Sequence, residues 1–255
     1  MTIARIVTLV VALVTPAIAF HLGGGTALWI ANGLCAAIAG GCALYSLWED
    51  GMLEQVLKPN WSPSSSSMEP GSKPASPARG LDLSSGFLVA AVLYALVVLP
   101  WTKFIAPPDE AGGLLQRCTL HGPLLPRPDA HGVTALWEFV RTQTCMGYGQ
   151  TLGLLGPPRA IAIVTIGALE EIAWRGGVQQ TLAEKLGSTR GWLVTSLLYG
   201  IAHVASGNVL LGVLAAVAGF AWGGLYRFRG RLVPGIFSHM VFGYFLFHAR
   251  PLVAF

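Results

Sequence analysis

The sequence predicts an all-α, polytopic transmembrane helical bundle of about seven spans, and three observations predict it. Only 11% of the 255 residues are charged and 53% are hydrophobic, whereas a soluble domain carries about 25% charged residues. Apolar stretches recur at 4–20, 26–48, 86–106, 158–180, 191–207, 209–226 and 232–249, each near the roughly 20 residues that cross a bilayer. Between two of them sits the tight basic cluster Arg227-Phe228-Arg229-Gly230-Arg231, while 204–209 has no basic residue. Such asymmetry records orientation. These features exclude a disordered chain, which needs low hydrophobicity, and argue against a water-soluble globule. The net charge of +4 comes from 16 basic residues spread along the chain, so no nucleic-acid patch is formed and the partner of the surface is the lipid bilayer.

Taken in order, the first stretch carries Arg5, an apolar run and Ala17-Ile18-Ala19 before Phe20, a pattern shared by a first span and a signal peptide. Either reading leaves the following residues outside. The second stretch holds Cys35 and Cys42, and residues 60–85 read as a Ser/Pro-rich flexible linker. Residues 1–106 thus form an N-terminal set of transmembrane helices. An extramembrane loop follows at 107–157, in which Val133–Arg141 predicts a short amphipathic interfacial helix. This loop also holds Cys118 and Cys145, as a disulfide or as two thiols. Residues 158–255 form a second helical bundle. Its Gly219-Phe-Ala-Trp-Gly223 pattern, with Gly212 seven residues earlier, predicts close helix packing. Trp29, Trp48, Trp101 and Trp222 fall near span ends, where interfacial anchors sit. Alternation of the spans with the basic loops predicts an integral multi-pass protein of a bacterial inner membrane, N-terminus inside and C-terminus outside.

Three charges stand where lipid forbids them. Glu170, Glu171 and Arg175 lie well inside the apolar run 158–180, and each costs roughly 2.5–3.5 kcal/mol at the bilayer centre. Together they cost on the order of 9 kcal/mol, against about 3 kcal/mol returned by the aliphatic residues of the same stretch. The helix must therefore line a wet cavity or meet polar partners. Glu171 and Arg175 are i,i+4 neighbours able to pair. Glu170 is rotated about 100° away and is left for another use.

Two later spans carry histidines, at Tyr199-Gly-Ile-Ala-His203 and Phe237-Ser-His239. Helical rise places Glu170 and His239 near mid-depth and His203 closer to the outer face, at about 1.5 Å per residue. A carboxylate and two imidazoles around a cavity support two routes to peptide-bond hydrolysis. Glu170 acts as general base on a water while the histidines orient the carbonyl or stabilise the oxyanion. Alternatively Glu170, His203 and His239 hold one divalent metal, such as Zn, that acidifies a bound water. The residues alone leave both open. A non-enzymatic membrane protein or proton-relay transporter would use the same polar cluster without hydrolysis.

These segments resemble the CPBP family of intramembrane proteases, which includes type 2 CAAX prenyl proteases and bacteriocin-processing, Abi-like relatives. The family's EExxxR motif is complete as Glu170-Glu171-Ile-Ala-Trp-Arg175. Its FxxxH motif stands as Tyr199-Gly-Ile-Ala-His203, with Tyr for Phe. Its HxxxN motif stands as His239-Met-Val-Phe-Gly243, with Gly for Asn. The resemblance covers about residues 155–250. It implies an intramembrane endopeptidase acting on a membrane-anchored peptide or protein, with Glu170 and His203 activating the water and His239 holding the oxyanion or a metal. Glu171 and Arg175 would shape the site. Asn208, Ser238 and Tyr244 are the candidates to substitute for the donor missing at Gly243, with Asn208 taken as a supporting residue. No HExxH zinc helix is present.

Overall fold

The computed structural model describes residues 2–21, 25–57, 82–101, 131–150, 154–250 and 252. The described residues form helices and turns, with no strand among them. In chain order these are α1 (Ile3–His21), α2 (Thr26–Glu49), the short α3 (Leu53–Leu57), α4 (Asp82–Pro100) and α5 (Val133–Gln150). They are followed by α6 (Gly156–Glu171), which continues as a π-helical segment (Ile172–Gln179) into α7 (Gln180–Leu186). The remainder is α8 (Ser188–Val204), α9 (Val209–Arg229) and α10 (Val233–Tyr244), the last prolonged by a π-helical turn (Phe245–Ala249). The apolar stretches read from the sequence correspond to these helices within a few residues. The linker at 60–85 lies almost wholly outside the described residues. Where an interfacial helix was expected to end at Arg141, α5 runs on to Gln150.

Among the described residues three helices, rather than the seven expected, are long and apolar enough to cross a membrane: Thr26–Glu49, Asp82–Pro100 and Val209–Arg229. Ile3–Val14 and Val233–Ala249 are shorter apolar segments. The outward faces of these helices agree with that reading, since Ile30, Leu34, Leu88, Val92, Val213 and Val217 are exposed, which water would oppose and lipid would not.

Small residues draw the helices together. The most extensive pairing is α8 with α9, where a Cβ on Gly200 would lie 2.8 Å from the Gly212 carbonyl oxygen. Gly219 abuts Tyr199, and Gly223 abuts Gln179 and Trp192. The expected glycine face on α9 is therefore real, and it packs on α8 and on the π segment. α1 lies along α2 and reaches the π segment through Thr8, buried against Gly177 and Ala43. α4 and α10 meet at Gly86, whose Cβ would stand 2.5 Å from the Pro234 carbonyl oxygen.

Polar contacts tie each end of the bundle. At one end Arg5 pairs with both Glu184 and Asp50, and Arg231 pairs with Asp82 at 3.1 Å. At the same end Arg227 donates to the Ser188 and Thr189 hydroxyls at 3.2 and 2.9 Å. At the other end the Tyr94 hydroxyl donates to the Arg250 carbonyl at 3.1 Å, and Trp101 Nε1 donates to the Leu252 carbonyl at 3.1 Å. Two tryptophans depart from the anchor role expected for them: Trp101 is buried by this contact, and Trp222 is 1% exposed in the core. Trp48 is exposed and Trp29 lines the cavity described below. Cys35 and Cys42 are free, and Cys145 is disulfide-bonded. Cys118 lies outside the described residues.

Candidate active site

Glu170 and Glu171 close α6 at the point where the helix widens into its π segment. π-helical turns are rare and concentrate at functional sites. The two carboxylates diverge, as their 100° separation requires, and meet different surroundings.

Glu171 is fully buried and its Oε1 lies 3.0 Å from Arg175 Nη1. The same oxygen accepts from His239 Nδ1 at 3.1 Å. Arg175 is 1% exposed, donates through Nη2 to the Gly219 carbonyl at 3.3 Å, and lies over the rings of Tyr199 and Trp222 at 4.9 and 5.5 Å. The i,i+4 pair read from the sequence is thus a buried ion pair inside a cation–π box. Its attraction is strengthened by the low dielectric that makes each lone charge costly. The other oxygen, Glu171 Oε2, points at Gly235, where a Cβ would stand 2.9 Å away. Glycine there leaves room for the carboxylate.

Glu170 instead faces a cavity of about 410 Å³. Its Oε2 accepts a hydrogen bond from the Tyr199 hydroxyl at 2.9 Å and lies 3.9 Å from His239 Nε2. That second distance exceeds a hydrogen bond and is short enough for a shared water, donating to both, to bridge. His239 is held by stacking on Trp222, with ring centroids 3.9 Å apart and planes at 19°, while Trp222 Nε1 donates to the buried Ser238 hydroxyl at 3.0 Å. Gly167 makes space for the imidazole, since its Cβ would lie 3.3 Å from His239 Cδ2.

His203 lines the same cavity, so the depth mismatch read from helical rise does not keep it apart from Glu170. It stands on the last turn of α8, one turn after Tyr199, and its Nδ1 lies 2.8 Å from the Tyr199 carbonyl. Carbonyl and carboxylate oxygens only accept, so in both histidines Nδ1 carries the proton. In the neutral rings Nε2 is then the nitrogen with the free lone pair.

Gly243 also lines the cavity, and a Cβ there would meet Ile163 Cγ2 at 3.1 Å. Of the three candidates for the missing donor, Asn208 caps α9: its Oδ1 accepts from Leu211 N at 2.9 Å and its Nδ2 donates to the Gln143 carbonyl at 2.7 Å. It lines the cavity with the rest of its amide committed to this turn. Ser238 is turned to Trp222, and the Tyr244 ring packs on Phe245 and His248.

Several contributors escaped the sequence reading. Gln143 on α5 accepts from Val209 N at 2.7 Å through its Oε1 and so grips the α8–α9 turn. Asn32 and Trp29 of α2, and Leu96 and Val97 of α4, line the cavity as well. No local motif marks these, because each acts through distant pairing. Gly235 carried a faint signal, as a glycine just after Pro234 inside an apolar run.

As for a metal, the tautomers suit a ligand set, since metal-bound histidines commonly donate their other N–H to a carbonyl or carboxylate. Yet among the described residues no group of three His, Cys, Asp or Glu side chains is close enough to hold an ion. Glu170 is occupied by Tyr199.

No curated protein and no solved structure matches the chain. Residues 156–245 match a family model, Rce1-like, described as type II CAAX prenyl endopeptidase. That segment runs from the start of α6 to the end of α10 and contains all three motifs, so over residues 156–245 the chain is similar to the type II CAAX prenyl endopeptidase, Rce1-like family.

Proposed function

We propose that this chain is an intramembrane endopeptidase that hydrolyses a peptide bond of a membrane-anchored substrate with a water activated by Glu170. The observation that carries this reading is the division of labour between adjacent carboxylates. Glu171 is spent on Arg175 and His239, whereas Glu170 faces an apolar-walled cavity shared with His203 and His239. A base must reach its proton directly or through one water, and Glu170 is the carboxylate with that access.

In the proposed reaction the water proton passes to Glu170 as the water oxygen attacks the carbonyl carbon. Negative charge then develops on the carbonyl oxygen, and an imidazole facing the cavity serves that oxygen as a donor in its protonated form, since the neutral ring presents only a lone pair at Nε2. The proton held on Glu170 leaves with the amine when the C–N bond breaks. The balance closes without another reactant. A proton relay would instead string its groups across the membrane thickness, and the clustering around one cavity favours hydrolysis. A second reading, with one divalent metal held by Glu170, His203 and His239, draws on the tautomers of the two histidines and requires Glu170 to leave Tyr199 and the three side chains to draw closer than they stand.

The same reading keeps seven crossings with the N-terminus inside. Every helix end assigned to the inner side meets another at one end of the bundle, through Arg5, Asp50, Asp82, Glu184, Arg227 and Arg231. The seventh of these crossings ends beside Tyr94 at the opposite end.

The test is cleavage of a panel of quenched fluorogenic peptides anchored in vesicles containing the purified protein, a farnesylated CAAX end among them. Cleavage by the wild type should be lost in Glu170→Ala and His203→Ala. Cleavage surviving in both variants refutes the reading. Metal analysis paired with a chelator assay separates the two routes.

A further inference from the structure

We infer that the Tyr199 hydroxyl is a positioning group for Glu170, holding the general base in its productive rotamer; the inference rests on the reading of Glu170 given above. Three observations carry it. The hydroxyl donates to Glu170 Oε2 at 2.9 Å, and no other hydrogen bond to the Glu170 carboxylate is formed among the described residues. Neighbouring Glu171, with an ion pair and an imidazole on it, needs no such support. The Tyr199 ring itself is immobilised: 3% exposed, edge-on to Trp174 at 5.0 Å, edge-on to His203 at 4.4 Å, and beneath Arg175 at 4.9 Å.

A carboxylate on a flexible stem has several rotamers, and facing a cavity it has room to sample them. A donor on a rigid ring selects one. With Oε2 fixed by Tyr199, Oε1 remains the oxygen presented to a water. The hydroxyl also couples two parts of the site, because Tyr199 is the residue whose carbonyl sets the His203 tautomer. Base and imidazole are thereby registered to one turn of α8. A ring without the hydroxyl would keep every packing contact and lose this registration. Misplacement of a reacting group by about 1 Å can cost on the order of 100-fold in rate.

The experiment compares wild type, Glu170→Gln, Tyr199→Phe and a protein with 3-fluorotyrosine at 199, all in vesicles with the anchored fluorogenic peptides. Wild-type cleavage abolished by Glu170→Gln establishes the underlying reading, and its absence from the wild type would sink that reading independently of Tyr199. Given that, Tyr199→Phe should lower kcat by about 100-fold while KM stays within about 3-fold, with thermal unfolding little changed because the ring is retained. The fluorotyrosine protein, which keeps the donor, should hold kcat within about 3-fold of wild type. An unchanged kcat in Tyr199→Phe overturns the inference. So does an effect confined to KM, or an equal loss in the fluorotyrosine protein, which would trace the effect to packing of the ring.

Discussion

The cavity wall contributed by α2, α4 and α5 is built largely from Leu28, Trp29, Leu96, Val97 and Val140, whereas α6, α8 and α10 put Glu170, Tyr199, His203 and His239 into it. The first set is mainly an enclosure, and the second carries the groups proposed to react. The family match covers the second of these, residues 156–245. Reacting groups have fixed spacings on a helix, because geometry limits which residues can share a face. An apolar wall is satisfied by many side chains of similar volume. An enclosing wall can therefore be built from more sequences than a reacting cluster can.

The sharpest break of this division is Glu170→Gln. It keeps size and the contact with Tyr199 and removes only the basicity. Loss of a general base costs about 10²–10⁴-fold, so turnover of the anchored peptides should fall by roughly 1000-fold with folding intact. Turnover close to wild type would move the base elsewhere.

Next in size is the other carboxylate, where the effect lands on the fold. Arg175→Ala leaves Glu171 buried and uncompensated, and breaking a buried pair from one side costs about 3–5 kcal/mol. The expected result is a lower unfolding midpoint in detergent together with lost activity, since Glu171 also holds His239. Stability unchanged by this substitution would mean that the ion pair is not the strut of the site. Gly235→Ala probes the same carboxylate more gently. The added Cβ would lie 2.9 Å from Glu171 Oε2, displacing the carboxylate and with it His239, and kcat should drop by about 10-fold. Cleavage rates at saturating peptide report it, and an unaffected kcat would show that His239 does not depend on where Glu171 stands.

Legibility followed the same division. Glu170, Glu171 and Arg175 stood out because charges inside an apolar helix are costly, and that cost demanded partners before any were seen. The pairing of Glu171 with Arg175 and the glycine face of α9 were readable from spacing. The hydrogen bond from Tyr199 to Glu170 was not, because it joins residues 29 positions apart, and periodicity says nothing about which faces of two helices meet. Trp222 was misread for a related reason. Its place in the chain resembled an interfacial end, but α9 runs on to Arg229, and the indole is needed at the centre to stack on His239. The π segment at Ile172–Gln179 had no sequence signature beyond Gly176 and Gly177. Those glycines also serve packing against Leu47, Leu232 and Thr8.

The smallest expected effect tests whether the enclosing half only encloses. Gln143 of α5 reaches across to the α8–α9 turn, accepting from Val209 N through its side chain and from Asn208 Nδ2 through its backbone. Gln143→Ala removes the first bond and keeps the second. A single hydrogen bond of this kind is worth about 1 kcal/mol, so the unfolding midpoint should fall only slightly. The turn it steadies begins two residues after His203, and loosening it would widen the mouth of the cavity more than it would disturb Glu170. The expected signature is a KM for anchored peptides raised about 3-fold with kcat nearly unchanged, the pattern of lost uniform binding. A fall in kcat matching that of the Glu170 variant would instead place α5 among the reacting elements, and the division between an enclosing half and a reacting half would fail.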